Sequence, residues 1–186
     1  FLYLNSCTLR NDSGHNNVTG VLTLSGTVTA SIGEAATLDL RGTIIGSGGF
    51  NKTGGGILRL GTGNSFSGEV TVSAGTLMAG NNGALGTAAG ATTIAAGARL
   101  DLAAFNLGAE PIFVAGSGIN NRGAILTSLT GNQPNALRFV TLTGNTTFGG
   151  NGRWDIRGNP TGSLLGAFSL TKVSANEIWL ANLDAT

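Results

Sequence analysis

The sequence predicts an all-β chain wound as a parallel β-solenoid, a β-helix with Gly/Asn-rich turns. Three observations lead there: a composition dominated by turn-forming and β-favouring residues, short strands of strict apolar and polar alternation, and recurrence of those strands along the chain.

Of 186 residues, 32 are Gly, 23 Thr and 18 Asn, and only 10% are charged. Glycine at this level, without a three-residue period and beside only three Pro, excludes a collagen helix, whose crowded axis requires Gly at each third place. The hydrophobic fraction of 41% argues against disorder, because its apolar runs can offset chain entropy. The net charge of +1 is spread singly, so no nucleic-acid partner is expected. No apolar run approaches the roughly 20 residues needed to span a bilayer, and no membrane contact is expected within this segment. Cys7 has no internal disulfide partner and reads as an incidental small apolar residue.

Glu69-Val70-Thr71-Val72, Arg99-Leu100-Asp101-Leu102 and Arg153-Trp154-Asp155-Ile156-Arg157 each alternate with period two, the pattern of a strand with one wet face. Val70/Val72, Leu100/Leu102 and Trp154/Ile156 are expected to point inward. Glu69, Arg99, Asp101, Arg153, Asp155 and Arg157 are expected in solvent. Gly supplies the corners, and Asn tolerates the left-handed region there while its amide can ladder between coils. Helix is disfavoured even in the Ala-rich stretch 84–104, where Gly86, Gly90 and Gly97 interrupt and Thr92-Thr93-Ile94 reads as strand.

Recurrence chooses a solenoid over a sandwich or barrel, since tandem units propagate along one axis. Leu22-Thr23-Leu24-Ser25-Gly26 returns as Val140-Thr141-Leu142-Thr143-Gly144, and Leu38-Asp39-Leu40-Arg41-Gly42 as Trp154-Asp155-Ile156-Arg157-Gly158. Lys52 with Leu58 and Leu60 returns as Lys172 with Ile178 and Leu180. These matches imply that residues 1–186 form one continuous solenoid holding about one and a half copies of a ~118-residue unit. At roughly 20 residues per coil and ~4.8 Å per step, a rod of about nine coils is expected. A half-integral count, and Phe1 in place of Met, fit a processed or excised piece whose array is completed by flanking repeats or by copies of itself stacked end to end.

The run Asn51-Lys52-Thr53-Gly54-Gly55-Gly56-Ile57-Leu58-Arg59-Leu60, followed by Phe66, Glu69-Val70-Thr71-Val72 and Ala74-Gly75-Thr76-Leu77, resembles the autotransporter-associated β-strand repeat of bacterial passenger domains. In that family a K-T-G-x-G-x-L-x-L strand precedes an aromatic, a Gly turn, a T-x-V strand and A-G-T-L. The likeness is good over residues 49–80 and departs at Glu69 and Phe66, where Gly and Tyr are commoner. The resemblance implies a right-handed β-helix, export to the bacterial surface, and a stalk or fibre role without catalytic residues.

The residues themselves offer little chemistry. The nine acids never lie closer than five residues apart, so an acid pair of the kind that cleaves polysaccharides would have to be assembled by coil stacking. Asp39 with Arg41, and Asp155 with Arg157, instead suggest surface charge ladders. One Cys and one His make no zinc quorum. His15 is expected in an exposed loop. Gly46–Thr53 misses a phosphate-binding loop because Asn51 stands where Gly is required and no helix follows. No cofactor and no metal are expected.

Trp179, between Ile178 and Leu180, is expected to face outward and is the single candidate surface contact. The function expected is a structural repeat segment of an extracellular bacterial surface protein, as stalk, adhesin shaft or fibre subunit. The alternative is a carbohydrate-binding or carbohydrate-cleaving β-helix whose partner would be a host or matrix polysaccharide.

Overall fold

The computed structural model describes residues 1–184. The chain climbs one axis in about eight parallel coils with almost no helix. The first coil carries β1 (Leu2–Leu4), β2 (Thr8–Asn11) and β3 (His15–Val18). The second carries β4 (Leu22–Leu24), β5 (Val28–Ile32) and β6 (Thr37–Leu40). The third carries β7 (Ile44–Gly46), β8 (Phe50–Thr53) and β9 (Ile57–Leu60). Two strands per coil follow, β10 (Val70–Val72) with β11 (Thr76–Ala79), then β12 (Thr92–Ile94) with β13 (Arg99–Asp101). The sixth coil holds β14 (Gly108–Gly116), a 3-10 turn at Ile119–Asn121 and β15 (Ile125–Leu126). The last turns are built from the long bent strands β16 (Asn132–Phe148) and β17 (Arg153–Leu165), then β18 (Leu170–Lys172) and β19 (Ile178–Leu183).

Each strand pairs in parallel with its counterpart one coil away. One column runs Val28, Phe50, Val70, Thr92, Ile112, Val140, Leu164, and its inward neighbour runs Ala30, Lys52, Val72, Ile94, Val114, Leu142. A second face stacks Leu38, Leu58, Leu77, Leu100, Ile125 and Phe148. A third begins as Leu2, Leu22, Ile44. Apart from Leu2 of the first coil, which is exposed, and Leu164, which is partly buried, these side chains line one continuous buried core, because consecutive coils lay like residues over each other and remove both from water. The six residues expected to point inward, Val70, Val72, Leu100, Leu102, Trp154 and Ile156, are all buried there.

Coil length is not constant. Thr93 stands under Phe113, 20 residues on, whereas Phe113 stands under Thr141, 28 residues on, the excess going into the loop with the 3-10 turn. The segments matched at an offset of about 118 residues stand in different columns. Leu22 pairs with Leu2 and Ile44, Val140 with Ile112 and Leu164; Leu38 pairs with Leu58, Trp154 with Gln133 and Ile178. The structural repeat is the coil itself.

The Asn64 amide accepts from the Ile44 N–H at 2.9 Å and donates to the Ala84 carbonyl at 2.7 Å, standing in for a strand between two coils. This satisfies backbone groups that an irregular corner would otherwise leave buried and unpaired.

Candidate functional site

The repeat motif of residues 50–79 assembles around Lys52. Phe50 and Lys52 share the inward face of β8, so the ammonium enters the core in a column between Ala30 and Val72. Lys52 is fully buried. Its three N–H donors reach three carbonyls: Thr53 at 2.9 Å, Gly54 at 2.7 Å and Ala74 at 3.0 Å. The last lies 22 residues along, so one side chain ties a strand to the turn of the next coil. Burial pushes the ammonium down to about 8, while the three acceptors meet all its donors.

Two motif glycines make room for this cage. Gly54 and Gly75 both have left-handed φ, +73° and +72°. A Cβ on Gly75 would lie 2.3 Å from the Gly54 carbonyl and 2.6 Å from Lys52 Nζ. Phe66 plugs the adjacent corner, fully buried and edge-on to Phe50 with ring centroids 5.7 Å apart. The motif residues thus form an inter-coil lock, and Lys52 is turned away from any phosphate outside.

On the outer face, Asp101 and Asp155 correct the sequence expectation. Both point away from the core as the alternation requires, yet both are buried, as is Asp39. Alternation fixes the face a side chain takes, not what lies over it. Asp39 is covered by Arg41 of its own strand end at 2.8 Å and by Arg59, its register partner one coil on, at 3.0 Å. Asp155 accepts from Arg153 and Arg157, each at 2.7 Å. Burial alone would raise its pKa, but the two guanidiniums outweigh that and hold it below the usual carboxylate range. Asp101 accepts from the N–H groups of Ala103 and Ser128, both at 2.9 Å.

Asp39 and Asp101 share a column but are separated by Arg59 and Met78, about 14 Å at the usual strand spacing, and Asp155 pairs with Trp179 elsewhere. Among the described residues no three His, Cys, Asp or Glu side chains come together. The site that polysaccharide cleavage would need is not assembled from these three acids. His15 is exposed as expected, but on β3 rather than in a loop. Cys7 is a free, half-buried thiol packed against the core.

Trp179 faces outward and is half exposed, in register with Asp155. One face of its indole lies under the Arg153 guanidinium, 3.6 Å from the ring centroid, and its N–H donates to Glu177 at 3.2 Å. The Asp155 carboxylate orients that guanidinium, so Trp179, Arg153 and Asp155 form one stack.

Glu110 was not singled out from the sequence. It shares the inward face of β14 with Ile112 and Val114, is buried, and accepts from the Thr92 hydroxyl at 2.7 Å. Desolvation outweighs this bond and pushes it up to about 7.

Residues 50–79 match the passenger-associated-transport-repeat family. Over 131 residues the chain is 37% identical to the adhesin BmaC autotransporter of Brucella suis biovar 1 (strain 1330). The chain is a repeat segment of the autotransporter passenger kind. The alignment takes in 68% of this chain and 4% of that adhesin, so the passenger segment spans a small part of its relative's length. No solved structure matches it. The relationship is to secreted or outer-membrane surface proteins, and it points to a structural, non-enzymatic role. The match falls on the residues of the Lys52 lock.

Proposed function

We propose that this passenger segment is a length of shaft on the outer surface of a bacterium, a spacer that projects other parts of a longer protein and carries out no catalysis itself. The observation that carries the reading is the coil-over-coil parallel pairing that runs from Val28 through Phe50, Val70, Thr92 and Ile112 to Val140, clamped by Lys52 where the family motif lies. A solenoid is mechanically one-dimensional, each coil stabilised by its neighbours, so length can change by whole coils without altering the rest.

Its partners in this reading are further coils of the same kind, from flanking repeats or from a second copy. The apolar side chains Phe168, Leu170, Trp179 and Leu180 on the last described turns are exposed. A following rung would cover them, because an open strand edge templates pairing.

The experiment is excision of one whole coil, Val70–Ala91, from the full-length passenger displayed on cells, which brings Thr92 over Phe50. The shaft is expected to shorten by about 4.8 Å with folding and display retained. A half-coil excision of Val70–Gly80 is expected to destroy both. Equal tolerance of the two excisions contradicts the shaft reading.

A further inference from the structure

Four of the eight arginines are paired with a buried aspartate: Arg41 and Arg59 with Asp39, Arg153 and Arg157 with Asp155. Arg99 and Arg122 are different. Among the described residues neither makes an ion pair within 4.0 Å, and they flank a cleft of about 190 Å³ also lined by Asp101, Ser128, Asn151 and Ser174.

Arg99 leaves the end of β13 and is fixed by donating from Nη2 to the Ile119 carbonyl at 2.6 Å. Its Nε–H is shut from solvent and has no acceptor among the described residues. A buried donor without an acceptor costs about 1–3 kcal/mol, more when charged, so the Arg99 guanidinium is short of acceptors as it stands. Burial, and the nearby Arg122, make the Arg99 cation harder to hold, and Asp101 only partly offsets them. Two guanidiniums and one carboxylate leave the cleft with one positive charge in excess, and Asp101 is already committed to two loop N–H groups.

We propose that this cleft binds a single carboxylate group at the end of a larger molecule. A monoanion neutralises the excess charge, whereas a dianion would meet the Asp101 carboxylate with charge to spare. The planar guanidinium forks match the carboxylate geometry. The volume lies below the ~300–1,000 Å³ usual for whole small-molecule ligands, so the cleft takes a charged end group and leaves the remainder outside. This site is independent of the shaft reading and would stand if that failed.

The test is NMR observation of the Arg99 Nε–H signal in the intact chain during titration with sodium acetate at pH 7. Parallel titrations with sodium sulfate and sodium chloride are run at matched ionic strength. A saturable shift with acetate is expected, with a Kd raised about tenfold in Arg122→Gln and less in Arg122→Lys, which keeps the charge but loses the fork. Arg122 is exposed, so these variants are expected to leave the backbone spectrum elsewhere unchanged. A linear response identical to chloride, preference for sulfate, or an acetate affinity indifferent to Arg122→Gln would each overturn the proposal.

Discussion

The ammonium of Lys52 donates to the carbonyl of Ala74 at 3.0 Å, joining β8 to the turn that follows β10 in the next coil. A lysine inside an apolar column is stable there because all three of its donors are matched. Replacing it by methionine keeps the aliphatic stem but leaves the Gly54 and Ala74 carbonyls without their side-chain donor. At pH 9.5, above the folded value of about 8, Lys52→Met is expected to lower unfolding stability by about 2–4 kcal/mol, read as a reduced urea midpoint with an unchanged m-value. A midpoint equal to the parent would show that the lock contributes nothing.

Lys52 and Glu110 give stability a predicted pH shape. Glu110 is raised to about 7 in the fold, so its contribution is fully present below its unfolded value near 4.5 and is lost as pH rises through 7. Lys52 is lowered to about 8, so its contribution is present above its unfolded value near 10.5 and is lost as pH falls through 8. Together they place a minimum between pH 7 and 8, each limb of order 3 kcal/mol. Urea unfolding at pH 5, 7.5 and 9.5 checks this, with Glu110→Gln flattening the acid limb and Lys52→Met the alkaline one.

Two glycines with similar backbone but different surroundings separate conformational strain from crowding. Gly75 and Gly97 both have left-handed φ, +72° and +87°, yet a Cβ on Gly97 meets nothing within 4 Å. Gly97→Ala is expected to cost about 1 kcal/mol, the left-handed penalty alone. Gly75→Ala strikes two carbonyls and the Lys52 ammonium, so a loss exceeding that of Gly97→Ala by at least ~2 kcal/mol is expected in thermal or urea unfolding.

Asp155 holds both Arg153 and Arg157, and Arg153 in turn covers Trp179. Asp155→Asn is expected to release Arg153 from the indole and change Trp179 fluorescence, while stability falls by about 1–3 kcal/mol. Trp179→Ala is expected to cost about 1 kcal/mol or less, the scale of an exposed cation–π contact. Because the Asp155 pKa is lowered in the fold, its stabilisation is present above its unfolded value and is lost as pH falls below about 4.

The fold was legible wherever alternation was clean. Val70-x-Val72 and Trp154-x-Ile156 placed their side chains correctly, because period two is imposed by strand geometry. The same rule marks Lys52 and Glu110, each two residues from a core side chain, Phe50 and Ile112. A charged side chain ordinarily takes the outer face, and local partners reverse that preference for both. Asp101 and Asp155 took the predicted face but are buried: Asp101 under the loop at Ser128, distant in sequence, and Asp155 under its own neighbours Arg153 and Arg157, which alternation places on that face without reporting that they close over it. Phase along the axis was also hidden. Coils of 19 to 28 residues carry similar strand motifs on every face, so a match between two motifs does not place them in one column.

Register between coils is tested most directly by cross-linking. In a Cys7→Ser background, Thr71→Cys and Thr93→Cys occupy partnered outward positions on β10 and β12, within the Cα separation of about 4.4–6.8 Å that a disulfide spans. Near-complete disulfide formation under mild oxidation is expected for that pair. Little is expected for Thr71→Cys with Phe113→Cys, two rungs apart at about 9.6 Å. Efficient bridging of the second pair, or none of the first, would contradict a solenoid stacked in this register.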